Sequence, residues 1–327
     1  MSSSRSTPRS RSAITARYLV GRLFQAAVIL LLVVSAVFLL ARLSGDPAQL
    51  LAPQNASEQD IADIRQNLGL NDPLIVQYLR YLGDLLTGDL GASFVYRAPV
   101  RDLIEGAFPN TLLLAMSAFL LAVVVGVPLG IVSALRPSSV LDYVSRFTAL
   151  VGQSVPSFWL GMVLIWVLSV LLGWLPAFGA GSPSQLILPT IALGAYPVAV
   201  IARLSRSAAL DVLRSDHTLF ERSKGVSGFV FMRHVLRNAS LPVVTLSGIQ
   251  LGHLLAGTVI VETLFAWPGM GQLAIQATYS RDFNVVQGTV LVFALTFVVL
   301  NLLVDLSYGW LDPRVRVSGG SSRGALR

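Results

Sequence analysis

The sequence contains no cysteine, so disulfides, thiol nucleophiles and cysteine metal sites are all excluded. Lysine is almost absent too, since Lys224 is the only one among 24 basic residues. A phosphate-binding loop of the G-x-x-x-x-G-K-[ST] type needs a lysine directly after glycine, whereas Lys224 follows Ser223. The chain therefore cannot supply that kind of nucleotide site.

Histidine is represented by only three residues, His217, His234 and His253, which lie in separate segments without metal-ligand spacing. We interpret each as an isolated surface or packing residue. The H-E-x-x-H and G-x-S-x-G patterns of hydrolases are missing as well. We therefore predict no catalytic residue, no metal site and no cofactor in this chain.

Charged residues are few, at 13%, while hydrophobic residues reach 54%, a balance too apolar for a soluble domain of 327 residues. Six apolar runs each approach the roughly 20 residues that a helix needs to cross about 30 Å of hydrocarbon. The sequence therefore predicts an all-α polytopic membrane protein. Its six transmembrane helices are predicted over Phe24–Ala41, Thr111–Leu135, Phe147–Leu172, Leu186–Ala202, Leu241–Val261 and Val286–Val304.

The basic residues predict the orientation of these helices. Most of the 24 lysines and arginines fall on one side of the six spans, and an excess of such residues marks the cytoplasmic side. We therefore predict a multi-pass membrane protein with both termini in the cytoplasm. The net charge of +7 is a topology signal, and without an aromatic-interleaved basic patch we predict no nucleic-acid partner.

The same reading divides the chain into segments. They are a disordered cytoplasmic tail (1–16), a first transmembrane helix (17–42), an extracytoplasmic segment (43–110), a core (111–308) that includes a cytoplasmic loop (207–240), and a cytoplasmic tail (309–327).

The extracytoplasmic segment carries helix signals of its own. Ser57 stands three residues before Asp60, a spacing that predicts a capped helix to Leu68, and a second helix is predicted from Pro73 to Leu86. This segment forms either a cap packed on the bundle or a face that meets a partner.

The cytoplasmic loop is polar but patterned. Asp216 stands at a helix N-cap position, and Lys224 followed by Gly225 supplies a cation in the last turn and a residue that accepts a left-handed backbone. Ser227 can cap a second helix that Pro242 would end. Two short helices at an angle are therefore predicted.

The first of these helices places bulky apolar residues beside charges. Such a surface either receives a partner protein or is an ordinary solvated loop. The candidate partner-binding residues are Leu219 and Phe220, with Glu221, Arg222 and Lys224 as rim charges and Gly225 as the hinge.

Two groups of polar residues lie within predicted spans. Pro156 sits among Gln153, Ser154 and Ser157, and an intramembrane proline is tolerated where a neighbour or a wet cavity satisfies the freed carbonyl. Gln250 and His253 share one face of the fifth helix. Both groups either line a path through the membrane or join helices by hydrogen bonds.

Several strings resemble a known family. The cytoplasmic loop resembles the EAA loop of permease subunits from binding-protein-dependent ABC importers. The matching residues are Lys224-Gly225, Arg233-His234-Val235-Leu236-Arg237-Asn238-Ala239 and Leu241-Pro242. Two further strings are similar to sequences of the dipeptide, oligopeptide and nickel branch of these permeases. The first is Gln153-Ser154-Val155-Pro156-Ser157-Phe158-Trp159-Leu160-Gly161, and the second is Glu262-Thr263-Leu264-Phe265-Ala266-Trp267-Pro268-Gly269-Met270-Gly271. We expect the second string to form a re-entrant or interfacial turn with Trp267 at headgroup level. The Glu-Ala-Ala of the motif would fall on Leu219, Phe220 and Glu221, so its small alanines are absent.

The resemblance implies the type I ABC importer permease architecture, a place in the bacterial inner (plasma) membrane, and a transport role without enzyme activity. The chain would form half of a translocation path for short peptides, with nickel chelates or glutathione as the alternatives. Implied partners are a second homologous permease subunit, two ATPase subunits or domains that bind ATP and magnesium, an extracytoplasmic substrate-binding protein, and membrane lipid.

One alternative class is a self-sufficient secondary transporter. Such a protein needs charged residues at mid-span for ion coupling, whereas Glu262 and Asp305 stand at span ends.

Overall fold

The computed structural model describes residues 10–43, 48–49, 52, 55–67, 69–225 and 228–311. Every regular element in these ranges is a helix, and the one strand-like pairing there is a bridge between Ala92 and Pro99. The α-helices are α1 (Ser10–Leu43), α2 (Glu58–Asn67), α3 (Leu74–Thr87), α4 (Val100–Leu135), α5 (Val140–Ser154), α6 (Ser157–Leu164), α7 (Pro183–Leu213), α8 (Asp216–Ser223), α9 (Gly228–Leu264), α10 (Met270–Tyr279) and α11 (Phe283–Leu311). A π-helical stretch, Ile165–Leu171, continues α6.

Five of these helices, α1, α4, α7, α9 and α11, are long and apolar enough to cross a membrane. A sixth crossing is formed only if α5 and the α6–π segment count as one broken span, because the chain bends there by 105°. The prediction of six spans is thus supported, but the continuous third helix predicted over 147–172 is wrong. Pro156 lacks a backbone N–H and disfavours a helical residue before it, and Val155 is accordingly extended.

The centre of the bundle is built by α4, α7 and α9, and the largest helix interface joins α4 to α7. Gly126 and Gly130 of α4 permit this close approach, since an added Cβ on Gly130 would lie only 2.8 Å from the backbone nitrogen of Arg206 in α7. One core cluster contains Leu114, Leu188, Leu193, Leu254 and Val261. α1 lies outside this core, against α11.

Several boundaries differ from the sequence predictions. The first helix begins at Ser10, so residues 10–16 are helical where we expect a disordered tail. α4 begins at Val100, inside the predicted outer segment 43–110. The first nine residues and most of the 309–327 tail lie outside the described part of the chain.

The predicted cap of α2 is present. Ser57 N–H donates to Asp60 Oδ2 at 2.8 Å, and Asp60 N–H donates to Ser57 Oγ at 3.2 Å. The hydrogen bonds from the Ser57 backbone and hydroxyl lower the pKa of Asp60. The loop after α3 is held by Asp282, whose Oδ2 accepts from Ser93 Oγ at 2.5 Å.

The string Glu262 to Gly271 forms a sharp turn between α9 and α10. Glu262 is fully buried, and its Oε2 accepts from Gly271 N–H at 2.7 Å and Gln272 N–H at 3.1 Å at the start of α10. Trp267 is only 2% exposed, and its indole N–H donates to the Asn110 carbonyl. The indole therefore packs in the protein core and does not face lipid, and its expected height at headgroup level stays a prediction.

We expect Gly130→Ala to destabilise the bundle by about 1–3 kcal/mol, the usual range for overpacking, because the added methyl meets the α7 backbone. The measurement is the thermal unfolding midpoint of the purified protein in detergent. Gly106→Ala in the same helix is the control, since nothing lies within 4 Å of its added Cβ. Equal midpoints for the two variants would contradict the tight α4–α7 contact.

Candidate functional site

A cavity of about 340 Å³, lined by both polar and apolar side chains, lies between the α5–α6 break, α7 and α9. It collects all five residues for which the sequence suggested a translocation path, and Tyr196 of α7 adds a phenol that the sequence reading missed. The polar lining residues are Gln153, Ser154, Ser157, Tyr196, Gln250 and His253.

The break between α5 and α6 opens one wall of this cavity. Ser154 ends α5 and Ser157 begins α6, so the bend at Val155 and Pro156 turns both hydroxyl-bearing residues to the same space. Gln153 Nε2 and Ser154 Oγ bond back to the carbonyls of Ala149 and Leu150, at 3.0 and 2.9 Å. Each side chain thus donates to the carbonyl four residues earlier in its own helix.

The other walls come from α7 and α9. Gln250 is buried and His253 exposed, and both side chains border the cavity from the same face of α9, as the spacing predicted. Gly257 lets α9 approach α7, because an added Cβ would lie 3.1 Å from Leu193 Cδ1.

The described lining of the cavity has no acidic side chain and no lysine or arginine. Its polar side-chain groups are amides, hydroxyls and one imidazole. Such groups hydrogen-bond a solute without holding a fixed opposite charge against it.

The loop that the sequence predicts to be cytoplasmic places one short helix, α8, between the long helices α7 and α9. α8 runs from Asp216 to Ser223, close to its predicted bounds, and Gly225 follows with φ of +77°. Space around Gly225 is open, so the restriction on this position comes from its left-handed backbone alone. The expected cap at Ser227 lies outside the described residues.

Phe220 is the prominent apolar side chain of α8. Its side chain is 60% exposed, and the Lys224 ammonium lies 4.3 Å from its ring centroid. An aromatic residue held by a cation and open to solvent is suited to burial against a partner. The side chains of Leu219 and Arg222, also predicted here, lie outside the described part of the structure.

Glu221 occupies a different position from the rim predicted for it. Its Oε1 lies 2.9 Å from His234 Nδ1, and its side chain is only 15% exposed. This pair joins α8 to the first turns of α9 across the Gly225 bend. The contact depends on residues 13 positions apart in the chain, a separation that helical periodicity does not address.

Pro242 does not end the helix that begins after the bend. α9, which is 37 residues long, continues through Pro242 to Leu264, so the prediction of a short second helix is wrong. A proline inside a membrane helix is tolerated where neighbours satisfy the freed backbone group. One helix therefore carries both His234, beside α8, and Gln250, beside the cavity.

A buried ion pair near the C-terminal end of α7, the end that leads into α8, was not foreseen from the sequence. Asp142 of α5 is 1% exposed, and its Oδ1 accepts from Arg206 Nε of α7 at 2.7 Å and from Ser133 Oγ of α4 at 2.5 Å. Its Oδ2 accepts from Ser138 N–H at 3.0 Å. Ser139 three residues before Asp142 is a cap signal that could have located the start of α5.

The sequence matches a family model described as the binding-protein-dependent transport system inner membrane component, over residues 126–317. The N-terminal model of the same kind of protein matches residues 15–115. The chain belongs to this family. It is therefore a permease subunit of a binding-protein-dependent importer and a multi-pass membrane protein, which confirms the class expected from the sequence strings.

Curated relatives of this permease are similar over most of their length. It is 42% identical to the dipeptide transport system permease protein DppB of Alkalihalophilus pseudofirmus, over 83% of this chain and 90% of the relative. It is 44% identical to the glutathione transport system permease protein GsiC of Salmonella paratyphi A, over 91% of this chain and 98% of the relative.

Solved structures with the same fold include the MetNI methionine ABC transporter in inward-facing conformations. The permease superposes on one of its chains with a TM-score of 0.54 at 21% identity, over 64% of this chain and 96% of that one. An amino acid ABC transporter gives 0.53 at 17% identity, over 64% and 94%. These likenesses establish the type I importer permease fold.

If the cavity is filled with water, a cysteine introduced at Ser154, which is exposed beside the α5–α6 break, will react with a small charged methanethiosulfonate. Thr258→Cys is the control, because Thr258 lies next to the cavity residue Gly257 but is fully buried. The natural chain contributes no thiol background. Equal labelling rates at positions 154 and 258 in membranes would show that the cavity is closed to water.

Proposed function

We propose that this permease forms half of a translocation path for short peptides and that separate ATPase subunits drive it through α8. The observation that carries the proposal is the position of α8. It presents the exposed Phe220 at the end of the bundle, and the two long helices it connects, α7 and α9, both border the cavity.

Movement of α8 is transmitted to the cavity through helix α9. His234 and Gln250 lie on one continuous helix, 16 residues or about 24 Å apart at 1.5 Å per residue. The Glu221–His234 contact fixes α8 to this helix, so a displacement of α8 by a partner moves the cavity wall with it. ATP shifts such an equilibrium only by binding one conformation of the assembly more tightly than the other.

The other partners follow from the same proposal. ATP and magnesium are bound by the ATPases, because the sequence lacks a phosphate-binding lysine after glycine. A second, homologous permease subunit supplies the other half of the path, and an extracytoplasmic binding protein delivers the substrate. The loop that holds α8 and both termini are on the cytoplasmic side, in keeping with the excess of basic residues there.

Short peptides are the substrate class that fits best. Relatives named for dipeptide and for glutathione transport have similar identity to this chain, and glutathione is itself a tripeptide. The cavity offers neutral hydrogen-bonding groups that match amide N–H and C=O groups, and its lack of fixed charge suits solutes whose side chains differ in charge.

Phe220→Ala should weaken ATPase association by roughly tenfold to a hundredfold, because burial of one aromatic side chain contributes about 1.5–3 kcal/mol. The measurement is the amount of ATPase that co-purifies with the permease in detergent, together with ATP hydrolysis stimulated by the loaded binding protein. Tyr143→Ala is the matched control, since Tyr143 is 59% exposed and has Arg146 4.7 Å from its ring centroid. Wild-type association of the Phe220 variant would mean that α8 is only a linker.

The substrate class is tested by competition. The assembled importer with its binding protein should take up a radiolabelled dipeptide, and unlabelled tripeptides including glutathione should reduce that uptake, because all present the same backbone amides. A nickel chelate is the comparison. Competition by the chelate alone would place the protein in the nickel group of the branch.

A further inference from the structure

Helix α3, in the segment between the first two spans, has a purely aliphatic stripe. Ile75, Leu79 and Leu86 are 62%, 60% and 90% exposed, and their spacing of four and seven residues places them on one side of the helix. The charged residues Arg80 and Asp84 lie on the other side. An exposed apolar stripe of this kind marks a surface that contacts either a membrane or another protein.

The height of α3 is fixed by its contacts with α1. The rings of Tyr78 and Tyr81 lie 5.3 and 5.6 Å from the ring of Phe38, and Tyr78 Oη lies 2.5 Å from Ser35 Oγ. These α1 residues precede the end of the helix at Leu43, so Ser35 lies about 12 Å below that end.

The first span therefore gives α3 a depth in the membrane. The apolar part of α1, Val20–Leu43, has 24 residues and is about 36 Å long, against about 30 Å of hydrocarbon. If the span is centred, the hydrocarbon begins about 3 Å below Leu43, and both Ser35 and Phe38 lie inside it. The face of α3 that packs on α1 is consequently beside the acyl chains, not above the headgroups.

The exposed stripe continues the lipid-facing surface of α1. Leu39 and Leu40, at the same height, are 51% and 62% exposed, and Val34 and Phe38 are the only residues of the span that are buried in the described structure. The charges of α3 are directed elsewhere, since Arg80 Nη2 pairs with Asp72 Oδ2 at 2.8 Å. Apolar residues on one side and charges on the other are the pattern of a helix that lies in a membrane interface.

We propose that α3 lies in the membrane interface, with Ile75, Leu79 and Leu86 inserted among the lipid acyl chains. The segment between α1 and α4 is then partly embedded. Its docking on α1 by Phe38, Tyr78 and Tyr81 holds the outer end of the first span beside the loop 89–99, whose Ser93 contacts Asp282 at the start of α11.

The test uses the cysteine-free chain in the assembled importer, reconstituted in phospholipid vesicles. Leu79→Cys is labelled with bimane, and fluorescence quenching is measured with a nitroxide-bearing phospholipid and with iodide. Asp84→Cys is the control on the opposite side of α3, where the side chain is exposed. The lipid nitroxide should quench the label at position 79 several-fold more strongly than iodide does, and the order should reverse at position 84.

Two results would overturn the proposal. Strong iodide quenching at position 79 would place the stripe in water, and protection from both quenchers would mean that another protein subunit covers it. Leu86→Cys repeats the measurement at the most exposed residue of the stripe, where a substitution removes no internal contact of α3 with α1.

Discussion

The buried carboxylate of Asp142 is the constraint on which the arrangement of the bundle depends. It accepts hydrogen bonds from α4, from the turn between α4 and α5, and from Arg206 of α7. Arg146 Nη2 also lies 3.3 Å from Asp142 Oδ2, so the carboxylate has two cationic partners, of which Arg206 is the less exposed. The three helices are therefore held together at the end of the bundle where α7 leads into α8, and α5 extends from this point to the break that opens the cavity.

The same helices connect the Asp142–Arg206 ion pair, the cavity and the loop that contains α8. α7 carries Arg206 in the ion pair and Tyr196 at the cavity, and it ends three residues before α8 begins. α9 returns from α8 to the cavity without interruption. The loop and the cavity consequently lie along the same two helices, α7 and α9, as the proposed coupling requires.

The buried Glu262 has a structural role in the described part of the chain. Two backbone N–H groups at the start of α10 donate to its carboxylate, and an added Cβ on Gly269 would overlap that carboxylate. A carboxyl group held in this way caps a helix and shapes a turn. Its position gives no support to the ion-coupled transporter that the sequence left as an alternative.

The sequence by itself determined the membrane class, the number of apolar runs, the capped helix at Ser57, and the left-handed Gly225, because hydrophobic length, capping and glycine conformation are local properties. It also placed Gln250 and His253 on one face of a helix. Only the tertiary structure decided that Pro156 breaks a span whereas Pro242 leaves a helix intact, that Trp267 is buried, and that Glu221 meets His234. Trp267 and Glu221 meet partners distant in the chain, Asn110 and His234, and no local pattern encodes such contacts. A proline has the same local effect at positions 156 and 242, so its residue type alone does not tell which of the two interrupts its helix.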